Sequence, residues 1–180
     1  MTITGVVVLT VLALPVATLA VWFLVRVRGR PFRSSLAEAG MVYGTVPWVW
    51  MTMLPGPRAG VAPARLNLVP VRDLIEVAAA GPTTTIVQVV GNLLVFAALG
   101  FFAPVRFHAL ASIPRILAVA AAGSILIEVA QFALRLDRVS SVDDVLLNAA
   151  GAALAALASR PWWRTPAPDR PEPHAARVGF

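Results

Sequence analysis

The sequence predicts an all-α fold, a polytopic transmembrane bundle of about five helical spans. Three observations carry this. Apolar residues make up 58% of the 180 residues and charged residues 13%, and the mean hydropathy is +0.79, a balance that would aggregate as a water-exposed globule. The apolar residues gather into uncharged runs close to the roughly 20 residues a helix needs to cross a bilayer. All fifteen basic residues are Arg, and they cluster at the edges of these runs, where positive charge fixes topology rather than reading nucleic acid. The chain has no Cys, which removes disulfides, thiolate nucleophiles and zinc–thiolate centres.

The first span, 3–25, is free of charge and is followed by Arg26, Arg28, Arg30 and Arg33. A secretory signal carries its positive charges before the apolar core, so this run reads as a span with the N-terminus outside. The second, 38–55, carries Trp48 and Trp50 toward its far end, where amphipathic rings favour the interface. The third, 86–105, follows the turn signal Gly81-Pro82 and a Thr83-Thr84-Thr85 start able to cap a helix. The fourth, 116–134, contains Glu128 and Gln131. The fifth, 142–159, is Ala-rich and the least apolar in reach, with Trp162 and Trp163 placed to anchor its inner end.

This topology puts ten Arg inside and leaves Arg58, Arg65, Arg72, Arg135 and Arg138 outside. A multi-pass protein of the plasma membrane with a cytoplasmic C-terminus follows. Residues 71, 74, 75 and 78 are apolar at helical spacing with charges opposite, which predicts an interfacial helix near 71–79. The chain divides into an N-terminal two-helix region (1–65), a transmembrane unit (66–160) and a Pro/Arg-rich cytoplasmic tail (161–180) too poor in apolar residues to bury a core, hence expected to be disordered.

Chemistry must come from polar groups that lipid would otherwise exclude. Glu128 and Gln131 share a face of the fourth helix. Asp144, Asn148 and Gly151 share a face of the fifth, and the third contributes Asn92. Counting inward at 1.5 Å per residue, Asn92, Glu128 and Asn148 all lie roughly 9 Å below the outer boundary. They form a polar layer, with Arg135, Arg138, Asp143 and Asp144 as a charged rim above it.

The order of these residues resembles the VanZ-like membrane proteins. The resemblance rests on Asn67-Leu68-Val69-Pro70, on Gly91-Asn92-Leu93-Leu94-Val95-Phe96 with Gly100, and on Ile127-Glu128 with Gln131. It continues through Arg138 and Asp143-Asp144-Val145-Leu146-Leu147-Asn148-Ala149-Ala150-Gly151, covering about 66–158. It implies an accessory membrane protein associated with glycopeptide resistance, particularly to teicoplanin, without implying a reaction. Two departures stand out: Ser141 where members of that family often carry an acid, and Val71 where they often carry an aromatic residue.

Each polar group also has a structural reading. Ser141 with Asp144 three residues later is a capping-box pattern, and Asp143 and Asp144 suit the positive end of a helix. Gly151 with Ala155 lets helices approach closely, within the bundle or against a second copy of the chain. Asn92, Gln131 and Asn148 suit hydrogen bonds between helices. Glu128 must be protonated, paired with Arg135 or Arg138, or hydrated, because leaving it ionised in lipid costs at least about 2.5 kcal/mol. His108 and His174 do not neighbour the acidic residues, so a His-based metal site or triad is not expected.

Three functions remain open at this stage. The first is recognition of an envelope lipid, a lipid-linked precursor or a glycopeptide at the outer leaflet, with Asn67, Asn92, Gln131 and Asn148 hydrogen-bonding a headgroup and Arg135 and Arg138 attracting phosphate. The second is an intramembrane enzyme with Glu128 as acid or base and Asp143 and Asp144 as partners able to hold a divalent cation; no other cofactor or metal is expected. The third is a helical scaffold or small transport component.

Overall fold

The computed structural model describes residues 3–163. Two helices, α1 (Ile3–Leu12) and α2 (Leu14–Arg26), make the first pass. They part at Ala13 because Pro15 has no N–H to offer the carbonyl of Val11. The second pass is α3 (Phe32–Thr52). A loop then leads through the short strand β1 (Arg65–Asn67) to α4 (Arg72–Ala79), followed by α5 (Pro82–Val95) and α6 (Ala97–Arg106), which form the third pass and are separated at Phe96. The remaining passes are α7 (Ile113–Ala133) and, after strand β2 (Val139–Ser141), α8 (Val142–Ala158), which ends in the helical turn α9 (Arg160–Trp163).

Three of these segments, Thr4–Arg26, Pro82–Arg106 and Ile113–Ala133, are long and apolar enough to cross a membrane. Helix α3 is more polar, and α8 has 17 residues, or roughly 26 Å of helix. Contacts between the helices fix their directions. Gly40 lies against Phe102 and Gly44 against Ala98, so α3 runs antiparallel to α6. Ser124 meets Asn148 while Glu128 meets Ser141, so α7 runs antiparallel to α8. Asn92 meets Asp144 while Gly100 meets Ala152, so α5–α6 and α8 run the same way. From α3 onward successive passes therefore alternate, and the bundle has two distinct ends.

At one end, here called the arginine end, Glu38 pairs with both Arg30 and Arg106, and Arg33 donates to the carbonyl of Trp162. The Glu38 pairs explain why α3 starts at Phe32 rather than at 38. A carboxylate neutralised by two guanidinium groups can lie inside a helix that the charge pattern alone would begin after it. Pro31 supplies the extended residue that precedes the first turn. The third pass also starts early, at Pro82, where the missing N–H of proline costs nothing. No Thr side chain caps it: Gly81 is the N-cap, and the Thr85 hydroxyl donates back to the carbonyls of Val77 and Gly81.

The opposite end, the strand end, adds a short strand pair to the all-α bundle. Strands β1 and β2 pair in parallel, with Arg65 opposite Val139 and Asn67 opposite Ser141. Two three-residue strands are too short to leave a period in sequence. The core joins α5–α8 through Val95, Phe96, Ala103, Ile116, Ala120, Ile127, Ala149, Ala152 and Ala156. The small side of α8 lets backbones meet: a Cβ on Gly151 would stand 1.9 Å from the Leu93 carbonyl oxygen, and one on Gly100 2.1 Å from that of Ala152. The expected pairing role of Gly151 is thus spent on α5. Residues 161–163 of the segment expected to be a disordered tail are helical, and its remainder lies outside the described residues.

Candidate functional site

Five of the polar residues singled out from sequence, Asn67, Asn92, Glu128, Asp143 and Asp144, meet at the strand end, around the first turn of α8. Ser141 is its N-cap, extended, with its hydroxyl oxygen accepting the Asp143 N–H at 3.1 Å. In a capping box the acid three residues on, Asp144, would accept the N–H of the cap residue. Here Glu128 from α7 accepts the Ser141 N–H at 2.9 Å. The Ser140 hydroxyl donates to the Glu128 main-chain carbonyl at 3.0 Å, fastening β2 to α7 a second time.

With the cap N–H taken by Glu128, Asp144 is free to face α5, where it accepts hydrogen bonds from Gln88 and Asn92. Asp143 points elsewhere, as a neighbour about 100° around a helix must. Its carboxylate is 1% exposed and accepts the N–H groups of Val71 at 2.6 Å and Leu74 at 3.2 Å. This grip holds the start of α4. Val71 sits in the left-handed region at φ 68°, costly for a β-branched residue. Asn67 continues the network: its amide donates to Asp73 at 2.6 Å and its oxygen accepts the Val69 N–H at 3.1 Å.

The other expected site residues have separate partners. Gln131 donates to the carbonyl of Thr52 at 2.9 Å, and Arg138 reaches the carbonyls of Met51 and Leu54 at 3.3–3.4 Å, so both close the end of α3. Asn148 donates to Ser124 at 2.7 Å and is 3% exposed, with its oxygen lacking a donor. Arg135 is exposed in the turn after α7. Glu128 is 8% exposed and has no ion pair with Arg135 or Arg138.

Three carboxylates, Asp73, Glu128 and Asp144, lie within electrostatic reach of one another. Backbone N–H groups donate to each oxygen of Asp143, and the amides of Gln88 and Asn92 both donate to Oδ1 of Asp144, so the two carboxylates face different partners. Among the described residues no group of three or more His, Asp or Glu has metal-binding geometry. Nearby, Asp137 gathers Arg58 and Arg65 and accepts the Arg58 N–H at 3.1 Å, tying the loop before β1 to the turn before β2.

Several partners escaped sequence reasoning. Gln88 is four residues before Asn92, and Ser124 four before Glu128, so the helical period could have found both. Asp73 joins Asn67 across a turn, which leaves no periodic signal.

The VanZ/LLP1 family model matches residues 41–163, from within α3 to the end of α9, and so takes in every residue of this network. No curated protein and no solved structure matches the chain. The match begins earlier than the motifs that carry the resemblance and covers well over half of the sequence, and on it the chain belongs to the VanZ/LLP1 family.

Proposed function

We propose that the chain is a plasma-membrane accessory protein of the cell envelope whose strand end faces outward and recognises an amphiphile in the outer leaflet. The amphiphile is a lipid-linked envelope precursor or a teicoplanin-type glycopeptide, and its recognition supports resistance. One observation carries the reading. Leu66, Leu68, Val69, Val71 and Ile75 are each more than half exposed, on a segment held in place beside the buried Glu128 and the half-buried Asp73 and Asp144. An apolar platform next to a polar cluster complements a molecule that is itself part apolar and part polar.

The chemistry of recognition follows from which groups are already used. Each of the amides of Asn67, Asn92, Gln131 and Asn148 already donates one hydrogen bond within the protein, so the cluster's main offer to a headgroup is its acceptors, the carboxylates of Glu128 and Asp144. Donor groups of a ligand suit them. Arg135, exposed at the rim, suits a phosphate or carboxylate. Arg138 is tied to α3, so its loss mixes packing with binding; Arg135→Ala is the cleaner probe. In a susceptible host making the protein at unchanged abundance, Arg135→Ala and Ile75→Ser should each lower resistance and weaken binding to the purified protein by about fivefold to tenfold. Unchanged resistance at normal abundance overturns the proposal.

A second reading, an intramembrane enzyme on a lipid-linked substrate, is favoured by Glu128 itself. Its carboxylate accepts the Ser141 N–H and, among the described residues, forms no ion pair. Glu128→Gln keeps the acceptor for Ser141 and removes proton transfer. Full turnover of a lipid-linked substrate by that purified variant rejects acid–base chemistry at Glu128. If alanine at Glu128, Asp144 and Asn148 lowers abundance alone, the scaffold reading takes its place.

A further inference from the structure

Away from the strand end, α2 and α3 diverge to leave a groove of about 510 Å³, walled by Ala17, Val21, Trp22, Leu36 and Tyr43 and reaching Arg26 at its arginine end. We propose that this groove holds one acyl chain of an anionic phospholipid, with the lipid phosphate on Arg26. The inference is independent of the function proposed for the strand end.

Length supports it first. The wall of α2 runs from Leu14 to Arg26, about 18 Å of helix, close to the depth of one leaflet in a hydrocarbon core of roughly 30 Å. A second copy of the chain would call for a face extending along the whole pass. Polarity supports it next. The Tyr43 hydroxyl donates to the Thr10 carbonyl at 2.7 Å and the Thr18 hydroxyl to that of Leu14 at 2.9 Å, so the polar groups along the walls are satisfied and an alkyl chain meets no unpaired donor.

Charge then selects the headgroup. Arg30 and Arg106 share Glu38, and Arg33 is held by the Trp162 carbonyl. Among the described residues Arg26 has no carboxylate partner, and the guanidinium of Arg28 lies 6.0 Å above the Phe23 ring, also without one. An apolar slot ending in an unneutralised guanidinium complements an alkyl chain ending in a phosphate monoanion.

Native mass spectrometry of the full chain tests this, with equimolar phosphatidylglycerol and phosphatidylcholine carrying the same acyl chains. The wild-type protein should retain the anionic lipid about fivefold over the zwitterionic one. Arg26→Gln should bring the two to parity, Ala17→Phe should lower retention of both by filling the groove, and Arg115→Gln should change neither. Phosphatidylglycerol brominated on its acyl chains should quench part of the tryptophan emission, and that part should be missing in Trp22→Phe. Parity in the wild-type protein, a preference that survives Arg26→Gln, quenching unaltered by Trp22→Phe, or a lipid-free dimer would each overturn the proposal.

Discussion

Gly151→Ala is expected to lower the stability of the folded bundle by about 2–3 kcal/mol, although it adds one methyl group to a helix. The carbon would stand 1.9 Å from the carbonyl oxygen of Leu93 and 2.7 Å from its Cα. These are backbone atoms that cannot rotate away, so α5 and α8 must separate. That separation would also stretch the bonds from Gln88 and Asn92 to Asp144, placing the damage in the candidate site as well as the core. Gly91→Ala is the control, since a Cβ there meets nothing within 4 Å. It should be neutral or stabilise α5 by up to about 1 kcal/mol through helix propensity. Thermal unfolding of the purified variants checks the pair, and equal midpoints would show that α5 and α8 are not in backbone contact.

Asp143→Ala should have a comparable effect by another route. The substitution strands the N–H groups of Val71 and Leu74, which both donate to a carboxylate that is 1% exposed. Two charge-assisted bonds at about 1.5–3 kcal/mol each put the loss at roughly 3–6 kcal/mol, felt locally as release of α4 rather than as collapse of the bundle. Limited proteolysis should therefore cut Asp143→Ala within residues 56–81 while the helices remain intact. Val71→Gly sharpens the test. It removes the strain of a β-branched side chain at φ 68°, worth about 1–2 kcal/mol, and should recover part of the loss in the Asp143→Ala background. Protection equal to wild type in Asp143→Ala would mean that α4 is held by something other than this carboxylate.

The three long apolar spans were legible because a long uncharged run has one structural solution in lipid, and α4 because its apolar residues recur at the helical period. What sequence left dark depended on partners far along the chain. The start of α3 turned on Glu38 finding Arg106, and the strand pair on Arg65–Asn67 lying beside Val139–Ser141. The candidate site was legible as a set of residues but not as a set of contacts. Glu128 and Gln131 share a face as their spacing requires, yet one reaches the Ser141 N–H and the other the Thr52 carbonyl. The capping-box pattern marked the start of α8 correctly and assigned the wrong acid to it. Glu128 supplies the second half of the cap from α7, and Asp144 is thereby turned toward α5. The divergence of Asp143 from Asp144 was available from helix geometry alone.

Recognition in the outer leaflet requires the strand end to face outward, and the absence of Cys makes that directly measurable. Val61, 87% exposed in the loop before β1, and His108, exposed between α6 and α7, mark the two ends. With a membrane-impermeant maleimide on intact cells, Val61→Cys should be labelled at once and His108→Cys should react only after permeabilisation. Immediate labelling of His108→Cys with protection of Val61→Cys would place the strand end in the cytoplasm and contradict outer-leaflet recognition.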